Sequence, residues 1–434
     1  MRSPVSFMYT PEKIMTSLLN RNWRNMNKWV YLTAAVFMAV SLKAQTAPAD
    51  DRPDLYLMGR ACMEKEQYDS ALYHLEKALE QKPGDVDILY HLGICHFTLK
   101  QYPAAHDDFY EVERRRKGMA SFYLAKTEMR LNRPVMALNY LRTHLDSRYR
   151  VPEKQILLDE DLSRLEQMTG WQELWNEKNW YGSGDQEFQE AMFLKNSGNT
   201  LEALNMLNRL DAQGYQRSRV RLEKALIYAG LGNRKAARSE IRSAAKSDVR
   251  NLDAVQLLAL YQVEDGAYEE AITGLSRVIR LDPARFDAYL QRAGARSLNG
   301  DLDGALEDLD RYLVYFPLDD SAVYQKGMIQ FTHGRYLDAI HSFNRALKLN
   351  TGKAEYYFAR GRTYAATGTT RYAENDMAMA LDLDPSNGQI WFEKGKLAAR
   401  LGKRQDACHC YERAFRYGIY EARDYLEKNC MSNY

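Results

Sequence analysis

The sequence predicts an all-α fold, a solenoid of about ten helix-turn-helix repeats closed by a C-terminal capping helix, and three observations predict it. Seven alanines, Ala203, Ala237, Ala271, Ala305, Ala339, Ala373 and Ala407, stand 34 residues apart. Five positions before each is a glycine, from Gly198 to Gly402, and twelve before stands Ala191, Ala225, Ala259, Ala293, Gly327, Gly361 or Gly395. A fixed period of this length marks a stack of similar units, each burying its apolar face on its neighbours.

Within a unit, two apolar segments have helical spacing. Tyr289 and Ala293 are four apart on the first, and Ala305, Leu309 and Tyr312 lie at i, i+4 and i+7 on the second. The column glycine falls between them, where the first helix ends and the backbone needs a residue that accepts positive φ. Pro83, Pro283, Pro317 and Pro385 stop the second helix at matching phases. The small residues go where two backbones approach closely, and the large ones fill the space beside them.

These residues resemble the tetratricopeptide repeat (TPR) family. The resemblance is fullest in Trp391, Gly395, Gly402, Ala407, Tyr411 and Ala414, and in Tyr357, Gly361, Tyr364, Gly368, Ala373, Ala380 and Pro385. It implies stacked antiparallel helix pairs wound into a right-handed superhelix, with the first helices lining a concave binding face. The expected activity is protein–protein interaction, without catalysis.

Lys+Arg 60 against Asp+Glu 58 gives a formal charge of +2, with the signs interspersed, which argues against a nucleic-acid footprint. Taken in order, residues 1–44 read as a secretory signal: the apolar run Trp29–Leu42 follows Lys28 and other basic residues, and it is short for a membrane span. Cleavage is expected after Ala44, with translation beginning at Met26 and no span in the mature chain. The Lys-rich start and the Ala-Gln ending resemble signals of exported Bacteroidetes TPR proteins. The mature chain is therefore expected to be periplasmic, outer-membrane associated or extracellular.

A linker, 45–51, leads to an N-terminal block at 52–150 with about three repeats. The first carries Gly59, Tyr68, Ala71 and Leu75, the second Gly93, Tyr102, Ala105 and Phe109, and a weaker third Ala125, Ala137 and Leu141. Residues 151–184 lack the columns and carry Trp171, Trp175 and Trp180, half of the six Trp in the chain. These rings either bury against the repeat blocks as a bridge, or form a secondary patch for a glycan or an envelope enzyme. An acidic segment, Asp159–Asp161, precedes them, and Tyr181–Gly184 reads as a flexible link. The regular block runs over 185–417, and 418–434 is the cap.

No nucleophile elbow, phosphate-binding loop or His-Glu-x-x-His occurs, and the eight His are scattered, so neither a catalytic residue, a metal nor a cofactor is expected. Five Cys occur: Cys62, Cys95, Cys408, Cys410 and Cys430. The C-terminal end resembles that of exported Bacteroidetes TPR proteins, which implies a Cys408–Cys430 staple. Cys410–Cys430 is the rival pairing, and Cys62 with Cys95 stays open.

The resemblance places the residue after the leading aromatic of each first helix on the concave face. The last three repeats put Tyr324, Phe358 and Phe392 there, with Arg362, Lys396 and Arg400 beside them. Such a groove suits a protein or peptide partner with apolar anchors and acidic groups. The oligomeric state is not legible.

Overall fold

The computed structural model describes residues 53–430. The signal, the positions of Met26 and Ala44, and the linker lie outside the described residues. Among those described, all regular structure is helical. They form two compact units: one up to Gly274 together with Arg280–Ala284, the other Leu275–Ile279 together with the residues from Arg285 on. The division thus runs through a helix of the regular block.

The first unit begins with three antiparallel pairs: α1 (Leu55–Glu64) with α2 (Tyr68–Gln81), α3 (Val86–Thr98) with α4 (Tyr102–Arg115), and α5 (Ser121–Arg130) with α6 (Pro134–Leu145). Asp54 and Asp85 start α1 and α3 by accepting from the backbone N–H groups of Leu57 and Ile88 at 3.1 and 3.2 Å. At the phase where later repeats have the column glycine, Glu66, Lys100 and Asn132 hold φ of 58, 62 and 59°. The repeat geometry imposes a left-handed turn even where the sequence supplies no glycine, at a cost of roughly 1 kcal/mol for Glu66 and Lys100, while Asn132 is a residue that tolerates it. The third pair is shortened because α5 has 10 residues where α3 has 13.

The stretch that lacks the columns is built of α7 (Glu153–Leu157), a 3-10 turn at Ser163–Gln167 and α8 (Thr169–Glu177). Trp171, Leu174, Trp180 and Tyr181 join Phe122, Leu141 and Leu145 in one buried cluster that closes the third pair. Asp159 and Asp161 serve the same closure, accepting from Lys126 Nζ at 2.9 and 3.1 Å. On its other side, Lys154 lies 4.8 Å from the Phe193 ring. The expected flexible link is instead a helix start. Tyr181 is buried, and the Asp185 carboxylate accepts from the Gly182 N–H at 3.1 Å, which begins α9 (Ser183–Asn196).

The ladder then continues with α10 (Thr200–Gln213), the pair α11 (Arg217–Gly230) and α12 (Arg234–Ser247), and α13 (Leu252–Asp265) with α14 (Tyr268–Leu281). The second unit holds α15 (Phe286–Leu298) with α16 (Leu302–Tyr315), α17 (Asp320–Thr332) with α18 (Tyr336–Leu349), α19 (Ala354–Ala366) with α20 (Thr370–Leu383), α21 (Gly388–Arg400) with α22 (Arg404–Arg416), and α23 (Ala422–Asn429). The seven turn glycines have φ between 72 and 87°, as the first-helix ends require.

Inside each pair, volume is traded between two fixed positions. Gly93, Gly327 and Gly395 are followed 16 residues later by Phe109, Phe343 and Tyr411, whereas Ala125, Ala191, Ala225, Ala259 and Ala293 are followed by Leu or Ile. A Cβ on Gly327 would stand 2.6 Å from the Phe343 ring, and one on Gly395 2.7 Å from the Tyr411 ring. The ring therefore needs the glycine. Gly59, which faces Leu75 at 2.5 Å, and Gly361, followed by Met377, depart from this rule.

The cap helix α23 lays Tyr425 against Phe392 and Tyr411, ring centroids 5.1 and 5.2 Å away. The Sγ atoms of Cys408 and Cys430 lie 2.00 Å apart, the spacing of a disulfide, while Cys62, Cys95 and Cys410 are buried and unpaired.

His144 gives the first unit an acid-sensitive point. Its ring is 1% exposed, and Nε2 accepts from the Val151 N–H at 3.0 Å. Burial pushes the imidazole down from 6.5 to about 4. The unfolded chain thus binds this proton at a higher pH than the folded one, so stability held above pH 6.5 shrinks as the pH falls toward 4. The full loss from this group approaches about 3 kcal/mol. Urea midpoints measured down this range should fall, and less steeply in His144→Gln; an identical slope in the variant would remove His144 from the account.

Candidate functional site

The candidate groove residues sit on α17, α19 and α21, the first helices of three successive pairs. Their column small residues Gly327, Gly361 and Gly395 face the second helix, so the positions one residue past the leading aromatic turn elsewhere. Tyr324 is half-buried, stacked on Tyr356 at 4.7 Å and 5.7 Å from Phe343. Phe392 is 3% exposed, under Tyr411 and Tyr425. Phe358 is half-buried against Ala380, Leu381 and Ile390. These rings form a floor between helices.

The cations stand on that floor. The Arg362 guanidinium lies 5.1 Å from the Phe331 ring and 5.7 Å from the Phe358 ring, so it rests on side chains of both α17 and α19. Among the described residues no carboxylate lies within ion-pair distance of Arg362 or of the exposed Arg400. Lys396 Nζ is 5.1 Å from the Phe392 ring and is partly committed to Glu393 at 2.9 Å. The structure therefore brings Arg362 to Phe358. It adds Phe331, which the column rule passes over because Ser297, Ala365 and Ala399 occupy its phase in the other repeats of the second unit.

A second set of charges supports this face from behind. Arg360 donates to both Asp376 oxygens at 2.7 Å and to Asn344 at 2.6 Å; 68 residues earlier, Arg292 donates to both Asp308 oxygens at 2.9 and 2.6 Å and to Ser276 at 2.9 Å. Burial would lower the Arg360 pKa, but the hydrogen bonds to Asp376 and its negative charge act together against it and hold the group above its usual value. Arg292, Lys326, Arg360 and Lys394 stand 34 apart, a signal that was open to reading. Of the four, Arg292 and Arg360 are spent on the interior and position their first helices.

The tryptophans present little free surface. Trp171 and Trp180 are 7% and 4% exposed, Trp175 stacks 6.5 Å from Tyr181, and the Trp180 N–H donates to the Leu174 carbonyl at 2.8 Å. Among the described residues no group of three or more His, Cys, Asp or Glu is placed to hold a metal ion, and no helix is long and apolar enough to cross a membrane.

Family models described as tetratricopeptide repeat match residues 63–107 and, in three overlapping stretches, 222–286, 257–323 and 324–388. The chain is 32% identical over 148 residues to tetratricopeptide repeat protein 36 of Mus musculus, covering 33% of this chain and 78% of that protein. The chain belongs to the tetratricopeptide repeat family. It is also 22% identical over 364 residues to the TPR protein 16 of Homo sapiens, an alignment over 77% of this chain that spans only 39% of that relative's length. Among solved structures, a TPR protein from Parabacteroides merdae is 16% identical, with a TM-score of 0.48 over 55% of this chain and 97% of that one. TPR membership supports reading the chain as a protein-interaction scaffold.

Proposed function

We propose that this chain is a non-enzymatic scaffold of the cell envelope that holds a peptide segment, or a subunit of an envelope assembly, along the α17–α21 face. The observation that carries the reading is Arg362, a cation set over the apolar rings of Phe331 and Phe358 with no carboxylate of its own. A ligand with an apolar anchor and an acidic group completes that arrangement. Arg400, exposed one helical turn beyond Lys396, extends it. The envelope location rests on the secretory character of residues 1–44 and accords with a Cys408–Cys430 disulfide, which persists in oxidising compartments.

Crosslinking in cells through a photoreactive residue at Phe358 identifies the partner. Phe358→Ala with Arg362→Ala should then weaken its binding by about 30-fold or more, as loss of paired anchor residues does, while helicity is kept. Undiminished binding by a natively helical double variant refutes the groove. The same material, digested without reductant, should yield the Cys408–Cys430 peptide and an N-terminus at Gln45; a partner confined to the cytosol refutes the location.

A further inference from the structure

We propose that the outward face of α12, in the first unit, docks on an anionic phospholipid surface. The overall charge of +2 conceals a local excess, since residues 216–250 hold ten Lys and Arg against three Asp and Glu. Helix α12 buries Ala237, Ile241, Ala244 and Ala245 toward its neighbours. Its opposite face sets Lys235, Ser239, Arg242 and Lys246 at i, i+4, i+7 and i+11, all exposed.

Some cations nearby are already committed. Arg238 pairs with Glu264 and Asp265 at 3.2 and 2.9 Å, and Lys224 is buried between Asp211 and Glu240 at 3.2 and 2.8 Å. Among the described residues, Lys235, Arg242 and Lys246 have no carboxylate within ion-pair distance. Between the row Arg234, Arg238, Arg242 and the row Lys235, Ser239, Ser243 runs a shallow furrow of about 600 Å³. Guanidinium, ammonium and hydroxyl donors line it. Phosphate oxygens are the acceptors that such a donor set suits.

The excess belongs to this helix and is not a habit of the repeat. Two periods on, the positions of Lys235, Ser239 and Arg242 are Asp303, Glu307 and Asp310. The shape of the patch selects the anion. A bare helix surface has no apolar slot for the anchor of an acidic peptide, and the ring beside it, Tyr261, lies under Arg238 rather than open to stack a base. At its two ends stand Leu231 and Val249, 51% and 50% exposed. Cations along a helix about 21 Å long, with an aliphatic side chain at each end, suit a planar headgroup layer into which those side chains dip.

The test is co-sedimentation of the full chain with vesicles of phosphatidylcholine containing about 30% phosphatidylglycerol, against phosphatidylcholine alone. Residues 1–44, with Arg21, Arg24 and Lys28 ahead of the apolar run, are the same in every variant, so the change between variants reads the charged face of α12. Binding should favour the anionic vesicles, weaken with salt, and drop by about 100-fold or more in Lys235→Glu/Arg242→Glu/Lys246→Glu. Lys348→Glu/Arg371→Glu, exposed cations of other repeats, should leave it intact. If the triple reversal loses helicity, the three serine substitutions at the same sites give the reading. Equal binding to both vesicles, an unaffected triple variant, or preference for polyglutamate or an oligonucleotide over anionic vesicles overturns the proposal.

Discussion

Asp308→Ala should destabilise the second unit by about 3–5 kcal/mol, because it strands buried positive charge. Asp308 is 2% exposed and receives Arg292 at 2.6 and 2.9 Å and Arg296 at 3.0 Å. The Arg292 side chain is itself only 12% exposed. Removing the carboxylate leaves its guanidinium without a counter-charge in a place water scarcely reaches. Arg296 suffers less, since it keeps the Gly304 carbonyl at 2.9 Å. The double change Arg292→Met with Asp308→Leu should recover most of the loss, because two apolar side chains of similar volume avoid the desolvation penalty altogether. Each repeat contacts mainly its neighbours, so unfolding here need not be all-or-none. Amide exchange along α15 and α16 is therefore the sharper measurement, and unchanged protection there in Asp308→Ala would contradict the account.

Gly327→Ala is the second large effect, and it runs against helix propensity. Alanine is the better helix former by about 1 kcal/mol, yet its Cβ would meet three Phe343 ring atoms at 2.6, 2.8 and 3.1 Å. Phe343 is fully buried and has no room to retreat. Overpacking of this kind costs typically 1–3 kcal/mol, and a net loss of about 1–2 kcal/mol is expected after the propensity gain. Phe343→Leu alone should also destabilise, by leaving a void. Together the two changes should be better than their sum, because they recreate the Ala293 and Leu309 pairing of an earlier repeat. Thermal melts of the four variants form the cycle, and simple additivity would show that the two positions do not share space.

Much of the architecture was written in the period. The small-residue columns announce the helix pairs and their turns, because close backbone approach and positive φ admit few residue types. The turns at Glu66, Lys100 and Asn132 were hidden for the converse reason: tertiary packing enforces a conformation that the local residue does not favour. Tyr324 and Phe392 show the limit for the site. Periodicity tells which side of a helix a residue occupies, but not how far the next helix covers it, and the cover over Phe392 comes partly from Tyr425 of the cap. The Arg360–Asp376 contact is not legible in the sequence because charges on a helix ordinarily read as solvated. The charged face of α12 disappeared into a near-neutral total.

The exchange of bulk between Gly327 and Phe343, and between Ala293 and Leu309, also bears on how such a chain grows and can be rearranged. Both members of each couple lie within a single helix hairpin, so that hairpin is the heritable module. A duplication, deletion or graft whose seams fall after the second helix, near Pro317 or Pro385, carries lock and key together. A seam placed at the turn glycine would hand a ring to a repeat that has no recess for it.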